Sequence, residues 1–318
     1  MKAAVYDNPG VPAVLEYVDM PDPVCGPSDV LIAVEAISIE GGDLINRRTT
    51  KQESRWIVGY AAAGTIVAVG ENVKYRTVGQ KVVAFDMQGS HAELWAVQET
   101  RTWLVPDGLR MADAAVMPIS FGTAYHCVST KGQLHAEETV LIHGAAGGVG
   151  IAAVQLARQA GAQVIAVASG NERQARLRAL GATHLIDRHN QDVVEEVRRL
   201  TGGKGADLVI DPVGSTVQSS LLALAPEGRL VFVGNAGGGG LAVELWQPMQ
   251  NNQTLHGVFM GALFERPAVH ETVDALLKAA TDRRLEVVID RTFSLKDAAS
   301  AHEHAETAKP LGRVVMKV

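Results

Sequence analysis

The chain has 318 residues, 47% hydrophobic and 20% charged, which is enough apolar side chain for two compact cores and excludes a disordered chain. A formal charge of −6 argues against the concentrated basic face that a phosphate backbone requires, so a small molecule is the expected partner and nucleic acid is not. Cys25 and Cys127 stand far apart and belong to no close Cys/His set, which excludes a disulfide framework or a zinc knuckle; no apolar leader or membrane span follows Met1, so a cytoplasmic protein is expected.

Up to about Thr123 the chain reads as short extended runs broken by turn residues: 30–35, 64–70, 81–85 and 91–97. That pattern predicts a mostly β module. From Thr139 apolar runs recur every twenty-odd residues, at 140–142, 164–167, 184–186, 208–210, 230–233 and 255–258, with helix-like stretches at 151–160, 172–180 and 192–200. Near-continuous apolar strands alternating with helices predict a doubly wound α/β domain with about six parallel strands, covered on both faces. A helix over 268–280 and strand-like pieces at 287–289 and 313–316 are too few for a third domain. They are expected to return to the first module, giving residues 1–122 and 261–318 as one domain and 123–260 as the inserted one.

The sharpest local signal is His143-Gly144-Ala145-Ala146-Gly147-Gly148-Val149-Gly150, directly after the run 140–142 and opening a helix. Small residues let the backbone approach a pyrophosphate, and the free N–H groups and positive end of the helix attract its charge. In GxGxxG register the positions are Ala145, Gly147 and Gly150, so alanine replaces the first glycine. About twenty residues on, an NAD site places a carboxylate on the ribose hydroxyls. Here the residues are Ser169-Gly170-Asn171-Glu172-Arg173. A hydroxyl at Ser169 and a guanidinium at Arg173 suit a 2′-phosphate, and Arg188 adds a second positive charge, so NADP(H) is the expected cofactor. Glu172 is discordant, although an acid in a first helical turn also serves the dipole.

Taken together, Met1-Lys2-Ala3-Ala4-Val5, the segment 59–70, Gly89-Ser90-His91-Ala92-Glu93, the segment 118–125, the glycine turn and Asp211-Pro212-Val213-Gly214 resemble the medium-chain dehydrogenase/reductase superfamily, in its zinc-independent quinone oxidoreductase (zeta-crystallin-like) branch. The resemblance covers nearly the whole chain. It implies a GroES-like, mostly β catalytic domain, a Rossmann cofactor domain, a substrate cleft between them, and a homodimer joined through the cofactor domains. It places Thr123, Gly147, Gly148, Val149, Ser169, Arg173 and Arg188 at positions that contact the cofactor, with Ala146, Asn171 and Val213 beside them. Asn235 and Phe259 fall where the nicotinamide pocket closes, and Arg313 matches a basic position that approaches the cofactor.

Zinc-dependent relatives take their metal ligands from positions that match Glu40, Tyr60 with Ala61, and Ile119. Only Glu40 is a good donor, so no metal is expected. Without a Lewis acid, alcohol oxidation is disfavoured, and hydride delivery to an electrophilic quinone, enone or enal remains. Tyr60 is the candidate donor to the developing oxyanion, or else an aromatic wall residue. Glu40 either orients a water or relays a proton, or fixes the Gly41-Gly42 turn. The branch favours asparagine near Glu40 and tyrosine near Ile45, and this chain has neither there. Three functions stay open: quinone reductase, enone or enal double-bond reductase, and a non-catalytic NADPH-binding protein. His302 and His304 with Glu303 and Glu306 are read as a solvated helix face, His91 as packing, and His143 as a backbone hydrogen-bonding residue. The run Gly237 to Gly240 is read as a mobile loop near the cofactor or a plain surface connection.

Overall fold

The computed structural model describes residues 1–52 and 54–318. The chain divides into two compact units, Met1–Gly122 with Met260–Val318, and Thr123–Phe259.

The first unit opens with β1 (Lys2–Tyr6), β2 (Glu16–Asp19), β3 (Asp29–Ser38), α1 (Gly41–Thr49), β4 (Trp56–Ile57), β5 (Ala61–Val69), β6 (Lys81–Phe85), β7 (Leu94–Gln98), β8 (Thr102–Leu104) and α2 (Met111–Val116). The chain then enters the second unit through α3 (Thr123–Tyr125), β9 (Thr139–Ile142), α4 (Gly148–Gln159), β10 (Gln163–Val167), α5 (Asn171–Leu180), β11 (His184–Ile186), α6 (Val193–Leu200), β12 (Ala206–Asp211), α7 (Val217–Ala223), β13 (Leu224–Phe232), α8 (Trp246–Gln250) and β14 (Thr254–Gly257). It returns to the first unit with α9 (Pro267–Thr281), β15 (Ile289–Ser294), α10 (Ala298–Thr307) and β16 (Arg313–Lys317).

In the first unit, alternate residues of β3 point inward: Val30, Ile32 and Val34 are buried while Leu31 and Ala33 are only half so. That period of two marks a sheet with one dominant core face. Its larger sheet runs β15-β16-β3-β5-β6-β8, with β7 also on β3; a smaller sheet runs β2-β1-β4. The C-terminal strand β16 pairs antiparallel with β3, Met316 opposite Ile37. Leu295, Val314 and Met316 thereby enter the core formed by Ile32, Ile37 and Ile66.

In the second unit the strands are buried without alternation, as in Val140-Leu141-Ile142, because helices cover both faces. All pairings are parallel, in the order β11-β10-β9-β12-β13-β14. The chain runs outward from β9 through β10 to β11, then crosses back to β12 on the other side of β9. This is the topological switch point, at the carboxyl ends of β9 and β12, where open parallel sheets generally bind their ligands.

Some expected boundaries move. The strand expected at 287–289 begins at Ile289 and runs to Ser294, after Val288 has spent its carbonyl on the Arg313 N–H. The run 91–97 becomes a strand only from Leu94, because the His91 N–H is already taken by the Val58 carbonyl. Among the described residues no helix is long and apolar enough to cross a membrane.

Candidate active site

The turn from β9 into α4 is built from backbone. Gly147 caps the helix without any side-chain bond, and no acidic residue occupies the first turn. Gly148, Val149 and Gly150 therefore present their N–H groups at a helix end that retains its positive potential. By contrast α6 is capped by Asp192, which accepts from the Glu195 N–H, and carries Glu195 and Glu196 in its first turn. Gly144 lies in the left-handed region at φ +55°. A Cβ at Gly150 would collide with the Gly144 carbonyl and lie 2.6 Å from the Ala145 Cα, so the helix reaches the strand only because that position is glycine. Ala145 is fully buried, and its N–H donates to the Val167 carbonyl at 3.2 Å. Alanine in place of the first glycine thus fills a packed position inside the turn.

The β12–α7 turn comes to the same edge. Asp211 is fully buried at its root and is held entirely by hydrogen bonds: its carboxylate accepts from the Val213 N–H (2.8 Å), the Gly214 N–H (3.0 Å), the Thr216 hydroxyl and the Ser220 hydroxyl (2.7 Å). These bonds set Val213 beside Gly144, where a Cβ on the glycine would meet Val213 Cγ2 at 3.5 Å. Asn235 follows β13 and packs on Gly214; its Nδ2 donates to the Gly239 carbonyl at 3.1 Å, and its buried Oδ1 has no partner. Thr123, at the start of α3, is buried, whereas Phe259 is 65% exposed.

At the carboxyl end of β10 the Ser169 hydroxyl donates to Asp187 Oδ1 at 2.5 Å, a carboxylate that sequence reasoning passed over. It was missed because it arrives from the neighbouring strand, β11. Arg173 lies over the turn and donates through Nη1 to the Ser169 carbonyl at 3.1 Å. Gly170, at φ +95°, makes the bend, and Asn171 begins α5. Arg188 is exposed, and its charge reaches His143, whose pKa is lowered first by burial and also by that guanidinium. His143 makes a backbone hydrogen bond, its N–H donating to the Ile210 carbonyl at 3.0 Å, while its side-chain Nε2 is buried without a partner. The Gly237 to Gly240 run forms a turn after β13, with positive φ at Gly238 and Gly239.

In the first unit, β3 ends at Ser38 and the chain turns into α1 at Glu40, which is 1% exposed. One Glu40 oxygen accepts from the Ser38 hydroxyl at 2.6 Å, and the other pairs with Arg313 Nη2 at 2.5 Å. The Glu40 N–H donates to Asp43 Oδ2 at 2.7 Å, closing the first turn of α1 from the helix side. Arg313 also donates through Nε to the Ser120 hydroxyl at 2.8 Å. Burial raises the pKa of both carboxyls, Asp43 well above its usual range; Arg313 and Ser38 partly offset this at Glu40. Arg313, expected at the cofactor, is thus placed on Glu40 as its counter-ion.

Tyr60 stands just before β5, packed over Gly42 so closely that a Cβ there would lie 2.9 Å from the Tyr60 Cζ. Its hydroxyl oxygen accepts from Asn46 Nδ2 at 2.7 Å, which leaves the phenolic hydrogen free to donate. Burial, followed by the nearby Asp43 charge, pushes its pKa up to about 12, so it stays protonated at neutral pH. The ring meets Phe85 edge to face, with centroids 6.3 Å apart, and Phe85 packs on Phe264 with centroids 4.3 Å apart and the rings tilted at 42°. Asn46 was missed because nothing in one sequence shows that a residue on α1 faces the start of β5. Ala61 is fully buried and Ile119 half-buried, and among the described residues no group of three or more His, Cys, Asp or Glu side chains is arranged to hold a metal.

The histidines near the C-terminus are corrected. His302 is fully buried, its Nε2 3.0 Å from the Nε2 of the equally buried His91, and His304 bonds Asp290 at 2.7 Å. Glu306 pairs with the buried Arg47. Helix α10 packs against the sheet, so His302, His304 and Glu306 meet other protein groups where a solvated face was expected, and Glu303 alone of the four is exposed.

Residues 26–107 match the family described as the alcohol dehydrogenase GroES-like domain, and residues 148–282 match the zinc-binding dehydrogenase family. The chain is 31% identical over 313 residues to a quinone oxidoreductase of Pseudomonas aeruginosa, covering 96% of each protein. It is 31% identical over 277 residues to a synaptic vesicle membrane protein VAT-1 homolog of Danio rerio, covering 81% of this chain and 57% of that longer protein. Among solved structures it is similar to the Escherichia coli quinone oxidoreductase complexed with NADPH (TM-score 0.95, 25% identity, all of both chains) and to an NAD-dependent alcohol dehydrogenase (TM-score 0.91, 27% identity, all of both chains). With its GroES-like and Rossmann domains in place, the chain belongs to the medium-chain dehydrogenase/reductase superfamily, in the quinone oxidoreductase branch, and is an oxidoreductase of that kind.

Proposed function

We propose that the chain reduces a quinone or another conjugated carbonyl compound with NADPH and without zinc. The observation that carries this reading is the uncapped glycine turn at the switch point, where the helix end packs so closely on the turn that an added Cβ at Gly150 would collide with Gly144 and Ala145. The residues fit a dinucleotide: the N–H groups of Gly148, Val149 and Gly150 receive a pyrophosphate, with Ala146 and Gly147 as the small residues beside it, the Gly147 N–H being held by the Gly144 carbonyl at 2.9 Å. Ser169, Asn171, Arg173 and Arg188 form the adenosine-ribose corner, and Val213, Asn235, Thr123 and Phe259 are assigned to the nicotinamide half. The orphaned Asn235 Oδ1 is an acceptor suited to a carboxamide N–H. When bound, NADPH supplies the hydride.

The protein's own part is positioning and charge stabilisation. Tyr60 donates its phenolic hydrogen to the carbonyl oxygen of the acceptor, where negative charge develops as the conjugated system takes up hydride. Asn46 holds that hydroxyl at a fixed angle by donating to its oxygen. Both Glu40 oxygens are engaged, by Ser38 and by Arg313, so Glu40 acts as an anchor for the cation and its place in the reaction is positioning. The ligand positions of a zinc site are here occupied by an ion pair, a phenol and apolar side chains, a poor donor set for the metal. An apolar acceptor and a cytoplasmic setting complete the reading.

A homodimer fits the free edge of the parallel sheet. Among the described residues strand β14 has a neighbour only on the β13 side, and Leu255 on it, with Trp246 and Met249 of α8, is 45–67% exposed. Light scattering checks the mass, and a monomer at micromolar concentration removes this part.

The test of the main reading is NADPH oxidation against a panel of quinones and conjugated enones. Turnover of quinones supports it. Rapid reduction of alkenals without quinone activity moves the assignment to double-bond reduction, and tight NADPH binding with no turnover on any acceptor overturns catalysis. NADH turned over with equal or better efficiency overturns the preference for NADPH.

A further inference from the structure

We infer that Asp187 is a specificity-determining residue of the cofactor site, receiving the unphosphorylated ribose of NADH and opposing the 2′-phosphate of NADPH. The inference rests on the dinucleotide reading above and deepens it.

The argument begins with register. Strands β10 and β11 are parallel with Val167 opposite Ile186, and the Ala168 N–H donates to the Ile186 carbonyl at 3.0 Å. The residues just past the two strand ends therefore emerge side by side, and the Ser169 hydroxyl meets Asp187 Oδ1 at 2.5 Å. In a dinucleotide fold the adenosine ribose lies at the end of the second strand, and a carboxylate at that strand's end accepts its hydroxyls. Here the second strand ends in serine, and the carboxylate reaches the same corner from the third.

The bonding at Asp187 leaves room for such a ligand. Its Oδ1 accepts from the Ser169 hydroxyl and the His189 N–H (3.1 Å), and its Oδ2 accepts from Asn190 Nδ2 at 3.0 Å. An ionised carboxylate offers about four acceptor positions, so one stays open to a ribose hydroxyl, and the rotatable Ser169 hydroxyl can yield a second. A 2′-phosphate is a different guest. It carries about −1.5 to −2 charges at neutral pH, and Asp187 repels it while Arg173 and Arg188 attract it. The corner thus holds one group for each cofactor class, and the carboxylate sets how far the two arginines prevail.

Titration of intrinsic fluorescence with NADPH and with NADH gives both Kd values for the natural chain and for Asp187→Asn. Competition by 2′,5′-ADP against 5′-AMP confines the readout to the adenosine end. The amide keeps an acceptor for the His189 N–H while removing the charge. We expect the preference for NADPH over NADH, and for 2′,5′-ADP over 5′-AMP, to rise by about tenfold in the variant. Asp187→Ser shows the same direction of change if the amide variant is not stably folded. An unchanged ratio in a folded variant overturns the inference and leaves Asp187 as an organiser of its own turn. Failure of the natural chain to bind any of the four nucleotides sinks the dinucleotide reading instead, and this inference with it.

Discussion

The two candidate regions are assembled in opposite ways. The β9–α4 turn is made of backbone: three glycines, a helix end without a cap, and a left-handed Gly144. The Glu40–Arg313–Tyr60–Asn46 corner is made of side chains drawn from α1, β16 and the start of β5, with Ser120 supporting Arg313. A backbone site depends on the absence of atoms, so adding one destroys it. A side-chain site depends on mutual satisfaction of buried groups, so removing one leaves another stranded.

The largest expected effect follows from that second half. Arg313→Met leaves the buried Glu40 without its cation and should lower stability by about 3–5 kcal/mol in urea unfolding. The double variant with Glu40→Gln should recover much of the loss, because the stranded charge goes with its partner. Equal instability in single and double variants would break the ion-pair account of this corner.

Next, Gly150→Val forces a side chain against the Gly144 carbonyl and Ala145, and should weaken NADPH binding by about a hundredfold at a cost of roughly 1–3 kcal/mol in stability. Fluorescence titration reads the first quantity and urea unfolding the second. Retained affinity would mean that the turn is not the cradle.

Tyr60→Phe sharpens the contrast at a smaller scale. It removes a donor without removing packing, so kcat should fall by about tenfold to a hundredfold while the unfolding midpoint stays within about 1 kcal/mol of the parent. Full turnover by a stable Tyr60→Phe protein would reduce Tyr60 to a wall residue.

The smallest effect concerns the buried His91–His302 pair. Burial lowers the pKa of both, His91 to about 3, and the proximity of His91 and Arg47 lowers His302 further. The unfolded chain then binds more protons than the native one below the ordinary histidine pKa of about 6.5, so this pair favours folding fully above that pH and loses its contribution as pH falls toward 3. Thermal unfolding should show the midpoint dropping by several degrees from about pH 6.5 to 4, with a shallower slope in His302→Gln. An identical slope in the variant would assign the acid sensitivity to other groups.

The glycine turn could be read from one sequence because every element of it is contiguous: strand, small residues, helix. The six parallel strands were readable for the same reason, since each apolar run carries its own signal of burial on two faces. Asp187 lay one residue before Arg188 in plain view, yet its bond to Ser169 depends on two strands aligning, which no local pattern reports. Asn46 stands one position from Ile45, where a tyrosine is usual in the branch, and only the fold shows it bonded to Tyr60. His302 and His304 looked like a polar helix face because their partners, His91 and Asp290, come from elsewhere in the chain.

What the sequence determined by itself, then, is the alternation of strands and helices and the glycine turn between β9 and α4, both carried by residues near one another in the chain. Which charge neutralises Glu40, which donor orients Tyr60 and which carboxylate bonds Ser169 were decided only by tertiary structure. Hydrogen bonds and ion pairs act over about 3 Å in space, and separation along the chain says nothing about that distance once strands from distant segments pair.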